Sequence, residues 1–139
     1  GWSPDGRLMY YIDTPTGRVD VFDVDGPAVT GRRPFAEIGG PGSPDGLTVD
    51  ADGCVWVALW GGGRIHRYAP SGTLDQVIEL PATLTTACAF GGSGLRDLYV
   101  TTATFGLTDE QLTRQQPNAG SVFVIPDAGQ GRPLPVFAD

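Results

Sequence analysis

Short hydrophobic runs recur along the chain, and turns rich in glycine, proline or aspartate separate them. Leu8–Asp13 (LMYYID) and residues 18–23 (RVDVFD) are joined by four residues that include proline and glycine, which is the pattern of a β-hairpin. Val, Ile, Tyr and Phe dominate these runs, and such residues favour strands. Twenty-one glycines and twelve prolines supply the tight turns. The pattern predicts an all-β structure.

The most complete unit begins at residue 42 and contains a proline–aspartate–glycine sequence followed by short apolar runs. Four short strands joined by tight turns are typical of one blade of a β-propeller. The predicted strands of this unit are 47–50, 55–59, 65–68 and 76–80.

The chain repeats itself with a period close to that of known propeller units. Residues 9–13 align with residues 55–59 at an offset of 46, and these align with residues 98–102 at a further 43. A second motif, at residues 17–22, recurs at 63–68 and then only 57 residues later, which places an insertion between Thr102 and Gly120. Thr108 and Gln111 within it have the spacing of a capping box, so a short helix is predicted there.

Three repeat units fit the chain, with boundaries of about 1–41, 42–81 and 82–139. The first would lack most of its innermost strand, and residues 134–137 would be the outer strand of the third. Propellers close with about 4–8 blades, so the sequence predicts part of a propeller, about three blades of a larger parent. The uncovered blade faces would need the remaining amino-terminal blades or a second copy of the chain.

Charge and cysteine content narrow the classes of partner. Nine Lys and Arg against sixteen Asp and Glu give a net charge of −7, which argues against nucleic acid and anionic membranes as partners. No apolar run is long enough for a transmembrane helix. Cys54 and Cys88 lack metal-site spacing, and buried thiols of a cytoplasmic protein are favoured over a disulfide.

Asp45 is the best candidate for a chemical role. It stands between Pro44 and Gly46 where the chain enters an innermost strand, and a carboxylate near the propeller axis could bind a hard cation. An ordinary Asp-Gly turn is the alternative. Thr86 takes the place of Asp45 in the next unit, where it could contact substrate or simply bond to backbone.

The remaining candidates are weaker. Asp13 ends a strand as turn-initiating aspartates do. Trp60 could form a pocket wall or pack in the core. His66, the only histidine, lies on a mid-blade strand, and no catalytic triad can be built around it. Residues 61–63 are three glycines without the Lys-Ser/Thr of a phosphate loop, so a turn is predicted.

Several motifs in their order resemble the regucalcin (senescence marker protein)/gluconolactonase family. They are WSPDG at residues 2–6, PDGLTVDADGCVWVALWGGGRIHRYAPSG at 44–72, TTACAFGG at 85–92, LYVTTA at 98–103 and QPNAGSVFVI at 116–125. The resemblance implies a six-bladed propeller that hydrolyses lactones of sugar acids with one divalent cation. Calcium is the first choice of metal, with zinc, magnesium or manganese as alternatives.

By this resemblance Asp45 is expected to be a metal ligand. On chemical grounds the same carboxylate could also help to remove a proton from the attacking water. Two further ligands of the family, an asparagine three residues before Gly1 and a more distant glutamate, would lie outside the chain. The leading function is therefore the carboxyl-terminal portion of a metal-dependent lactonase. The alternative is a non-catalytic propeller portion that acts as an interaction module, and whether the isolated chain is an enzyme stays open.

Overall fold

The structure is a computed structural model that describes residues 1–133, and its strands form three antiparallel sheets. Consecutive strands are neighbours in each sheet, so each sheet is a simple meander. The first sheet contains β1 (Leu8–Asp13), β2 (Arg18–Asp25) and β3 (Ala28–Glu37); the second contains β4 (Ser43–Val49), β5 (Val55–Trp60), β6 (Arg64–Tyr68) and β7 (Leu74–Glu79); the third contains β8 (Thr85–Gly91), β9 (Asp97–Thr102) and β10 (Val122–Ile125).

Residues 1 and 2 pair with β1 at the edge of the first sheet. Trp2 forms a bridge with Met9, while the Gly1 carbonyl accepts a hydrogen bond of 2.7 Å from the Tyr10 backbone N–H. The predicted outer strand of the third sheet, residues 134–137, lies outside the described residues. The predicted unit boundaries likewise stay predictions.

Several strand boundaries differ from those predicted. The strand predicted at residues 18–23 continues to Asp25, because Val24 pairs with Val29 and Asp25 with Ala28. The turn that follows has only two residues, because Gly26 takes a φ of +55°. The inner strand of the second sheet was expected from residue 47 but begins at Ser43, because a β-bulge allows pairing to continue through the Asp-Gly sequence.

Strand β5 of the second sheet is buried on both faces, which is why its sequence is a nearly continuous apolar run. Val55, Val57 and Leu59 pack towards the first sheet. Trp56 and Ala58 point the other way, because side chains alternate along a strand, and pack towards the third sheet. Burying β5 in this way joins the three sheets into one unit.

The insertion between β9 and β10 contains the predicted helix start. The Thr108 backbone N–H donates to Gln111 Oε1 at 2.8 Å, and the Gln111 N–H donates to Thr108 Oγ1 at 3.3 Å, which is a capping box. The helix continues as a π-helical turn over Gln111–Gln115. The predicted helix is confirmed.

Both cysteines are free and buried, so the thiol interpretation is confirmed. Burial raises the pKa of Cys88 to about 12, and its thiol lies 3.5 Å from the Trp56 carbonyl oxygen. Among residues 1–133, no helix is long and apolar enough to cross a membrane.

Candidate functional site

The candidate residues lie at one end of the sheets, which we call the rim. It consists of the beginnings of β4 and β8 together with the ends of β5 and β9. Ser43 pairs with Trp60, and Thr85 pairs with Thr102. The predicted site residues therefore share one end of neighbouring sheets.

Both inner strands contain a β-bulge at the rim. In β4, Pro44 pairs with Leu59 and Leu47 with Val57, so that Asp45 and Gly46 together stand opposite Ala58. A bulge bends its strand and redirects a side chain, and bulges are frequent beside active sites.

The bulge in β8 falls at the corresponding position of the repeat. Thr85 pairs with Thr102 and Ala87 with the preceding Thr101, which leaves Thr86 as the extra residue. Asp45 and Thr86 are thus bulge residues of adjacent inner strands.

Close backbone contact brings these two bulges together. A Cβ atom built on Gly46 would lie 2.7 Å from the Thr86 carbonyl oxygen and equally close to the Cα of Ala87. Only glycine, which has no Cβ, allows the two inner strands to approach this closely. The residue after Asp45 therefore contacts the backbone of Thr86, as the sequence alone could not show.

Asp45 is half-buried and electrostatically uncompensated. Burial raises the pKa of its carboxyl group, and no neighbouring charge or hydrogen bond within the described chain contributes to that shift. An ionised carboxylate in such a place is stabilised when it gains a cation or a proton. Perturbed carboxyls of this kind are enriched at functional sites.

Thr86 is half-buried and has a hydroxyl partner. Its Oγ1 lies 2.7 Å from Thr101 Oγ1, with either atom able to donate. The fully buried Thr85, which the sequence analysis missed, fixes this strand to the second sheet: its Oγ1 donates to the Leu59 carbonyl at 2.7 Å. The sequence feature that could have revealed Thr85 is the pair of consecutive threonines, Thr85 and Thr86, where the inner strand begins.

The weaker candidates divide between the rim and the core. Asp13 is exposed at the end of β1, and its side chain caps no backbone group. Trp60 is half-buried at the rim, where its ring centroid lies 6.3 Å from that of Phe105. His66 is buried, and its Nδ1 lies 3.0 Å from the Tyr68 hydroxyl. Burial, with a smaller contribution from the charge of Arg64, lowers the pKa of His66, which fits a neutral structural residue.

Asp50, the last residue of the predicted strand 47–50, is a buried structural residue with many partners. Only 1% of its surface is exposed. Its Oδ1 accepts the Cys54 backbone N–H at 2.8 Å, and its Oδ2 accepts Trp56 Nε1 at 2.9 Å. Arg67 Nη2 adds a salt bridge at 3.1 Å. These contacts explain its burial without any role at the rim.

Asp45 fits the role of a single oxygen ligand to a hard cation, because it is a carboxylate without a competing partner. Within residues 1–133, no group of three or more His, Cys, Asp or Glu side chains could hold a metal. The described residues therefore do not form a complete acidic site of three such ligands.

Three antiparallel meanders with inner strands in close contact define part of a β-propeller, and comparisons identify its family. The sequence model of the SMP-30/Gluconolactonase/LRE-like region matches residues 1–104. The chain belongs to this family. The resemblance inferred from the motifs is confirmed.

Known relatives extend beyond the length of this chain. It is 40% identical over 132 residues to regucalcin of Homo sapiens, which covers 92% of this chain and 44% of that protein. It is 41% identical over 140 residues to L-arabinolactonase of Azospirillum brasilense, which covers 99% of this chain and 46% of that protein. The chain spans about half the length of these relatives.

Solved structures agree on the architecture. A calcium-binding protein, regucalcin, from Agrobacterium tumefaciens superposes with a TM-score of 0.92 and 33% identity, covering 99% of this chain and 48% of that one. A luciferin-regenerating enzyme gives 0.84 and 34%, covering 94% of this chain and 45% of that one. These neighbours are six-bladed propellers, and the chain corresponds to part of one, as predicted.

Proposed function

We propose that this chain is part of a divalent-metal-dependent lactonase that hydrolyses lactones of sugar acids. The observation that carries the proposal is the uncompensated Asp45 carboxylate on a bulge at the rim. Family membership and the names of relatives, among them an L-arabinolactonase, support the substrate class.

Asp45 has two roles in this proposal. Its carboxylate supplies one oxygen ligand to the cation, for which calcium is the first candidate because one structural neighbour is described as a calcium-binding protein. When bound, the cation would polarise the lactone carbonyl and stabilise the negative charge that develops on its oxygen. In its second role, the same carboxylate acts as the base that takes a proton from the attacking water.

Thr86 contacts the substrate through its hydroxyl. The bulge places this group at the start of β8, and its neighbour Thr101 can either donate to it or accept from it. A hydroxyl pair of this kind can adapt to the alternating donors and acceptors of sugar hydroxyls. The substrate role of Thr86 therefore depends on the 2.7 Å contact with Thr101.

The test uses full-length protein that contains these residues, because the chain spans about half the length of its relatives. Hydrolysis of several sugar lactones is followed by proton release, before and after treatment with a chelator and after return of calcium, zinc, magnesium or manganese. The proposal predicts metal-dependent hydrolysis that Asp45→Asn abolishes and Asp52→Asn, in an exposed turn, leaves unchanged. Metal-independent hydrolysis, or an active Asp45→Asn variant, would contradict it.

An interaction module is the second candidate function, and the outward face of the third sheet favours it. Tyr99, Val122 and Val124 are exposed there. Such a surface suits either the remaining blades of the parent or a second copy of the chain. Full-length protein without lactonase activity toward any sugar lactone would favour this second function.

Lactones are the one class of small molecule that we propose as a partner. A cytoplasmic location accords with the two free thiols.

A further inference from the structure

An aromatic pair stands at the rim beside the two bulges. The rings of Trp60 and Phe105 have centroids 6.3 Å apart and planes inclined at 49°. Phe105 is 79% exposed, the highest value among the exposed large hydrophobic residues of the described chain. Small-molecule sites are usually lined by aromatic and other apolar side chains with a few polar groups nearby, and this pair stands beside such polar groups.

Backbone pairing places Trp60 between the chain segments that lead into both bulges. It pairs with Ser43, two residues before Asp45, and forms a bridge with Leu84, two residues before Thr86. Ala58, which stands opposite the bulge of β4, precedes it by two residues on the same face of β5. The ring of Trp60 therefore continues the surface of Ala58 outward to the rim, between the second and third sheets.

The loop that carries Phe105 is fixed to the rim by hydrogen bonds. Gln116 Oε1 accepts from the backbone N–H of Thr83 at 2.8 Å and from its hydroxyl at 2.9 Å. At the base of the insertion, the Ala103 N–H donates to the Leu84 carbonyl at 2.9 Å, and the Gly120 N–H donates to Thr102 Oγ1 at 3.0 Å. These hydrogen bonds therefore hold both ends of the loop that carries Phe105 at the rim.

We propose that Trp60 and Phe105 form an aromatic wall of the lactone site and determine its preference for lactones with an apolar ring face. This inference rests on the proposed lactonase function. One face of a sugar ring carries C–H groups with slight positive charge, which pack favourably on the negative face of an aromatic ring. The hydroxyls on the other edge of the sugar would meet the Thr86 and Thr101 hydroxyls, so that the site combines an apolar wall with a few polar groups, as small-molecule sites usually do.

A small substrate fits this pair better than a missing part of the propeller. Trp60 is the last residue of β5, and β5 is covered by the first sheet on one face and by the third sheet on the other. The ring of Trp60 also lies beside Phe105 in the insertion of the third sheet. The wall thus lies between two described sheets. It is not on the outward faces that further blades would cover.

The experiment compares variants of the full-length protein in steady-state kinetics with a sugar lactone. Phe105→Ala and Trp60→Ala are expected to raise KM roughly three- to tenfold, the effect of losing one aromatic contact, with kcat within about twofold. Phe105→Tyr keeps the aromatic ring and should therefore retain the KM of the original protein. Leu74→Ala is the matched control, because Leu74 is an exposed hydrophobic residue at the opposite end of the sheet. An unchanged KM in both alanine variants, or a loss confined to kcat, would overturn the wall.

A binding measurement separates failure of the wall from failure of the lactonase function. The sugar acid that the reaction would produce is titrated while tryptophan fluorescence is recorded. The wall predicts a fluorescence change that Trp60→Phe removes. Trp2→Phe, which replaces an exposed tryptophan outside the wall, should preserve the change. If no lactone is hydrolysed yet this change is present, the lactonase proposal fails and the wall stands as a sugar-acid site. If the change is absent or survives Trp60→Phe, the wall is overturned.

Discussion

Gly46 of β4 and Ala87 of β8 lie so close that a Cβ on Gly46 would come within 2.7 Å of both the Cα and the Cβ of Ala87. This contact joins the inner strands of two sheets at the point where Asp45 and Thr86 leave the regular ladder. The separation of the two candidate site residues therefore depends on the absence of a side chain at position 46.

Substitution of Gly46 by alanine should damage both stability and the site. The added methyl group meets backbone atoms, which cannot rotate away, so we expect a loss of about 1–3 kcal/mol in the free energy of unfolding. Urea unfolding measures this loss. Gly39→Ala is the control, because nothing lies within 4 Å of its Cβ position and its φ is not positive. Equal free energies of unfolding for the two variants would contradict this, because they would show that the two inner strands move apart at little cost to accommodate the methyl group.

Asp45 should reduce the stability of the protein at neutral pH. Its pKa is raised in the folded state by burial, so its contribution to stability is complete below the pKa of the unfolded state and is lost as the pH rises through the folded pKa. Asp45→Asn should therefore raise Tm at pH 7 in the presence of a chelator. The gain should vanish below about pH 3.9, the ordinary pKa of aspartate.

The exposed Asp52 provides the comparison for this pH dependence. Asp52→Asn should leave Tm close to that of the original protein at both pH values, because its side chain is in water. A lower Tm for Asp45→Asn at pH 7 would mean that the Asp45 carboxylate stabilises the fold, and the interpretation of its environment would be wrong.

Asp50 should be the more important aspartate for folding. Asp50→Ala leaves Trp56 Nε1 and the Arg67 guanidinium without their buried acceptor, so we expect a loss of about 3 kcal/mol or more in the free energy of unfolding. Asp52→Ala, two residues along the same turn, should cost about 0.5 kcal/mol or less. Chemical unfolding of both variants measures the difference, and a loss below about 1 kcal/mol for Asp50→Ala would rule out the buried network as a major source of stability.

These cases show what the sequence could and could not predict. The strand Leu8–Asp13 was predicted to the residue, and the helix start at Thr108 was predicted from its spacing to Gln111, because alternation and capping are local properties. The bulge at Asp45 and the contact of Gly46 with Ala87 depend on pairing between distant segments.

Asp50 illustrates the same limit in another way. Its position before Asp52 and Gly53 is typical of a turn, and the backbone does turn there. Its salt-bridge partner Arg67 lies 17 residues away, so only the fold reveals that the carboxylate is buried and paired.

The account depends most directly on Asp45, and one measurement tests it. Calcium-dependent hydrolysis of a sugar lactone is measured for full-length protein, for Asp45→Asn and for Asp52→Asn, after metal removal and after calcium return. We predict that the original protein and Asp52→Asn lose activity with the metal and regain it with calcium, while Asp45→Asn stays inactive throughout. Calcium-restored activity in Asp45→Asn would contradict the account, because the Asp45 carboxylate would then be needed neither to bind the ion nor to act on the attacking water.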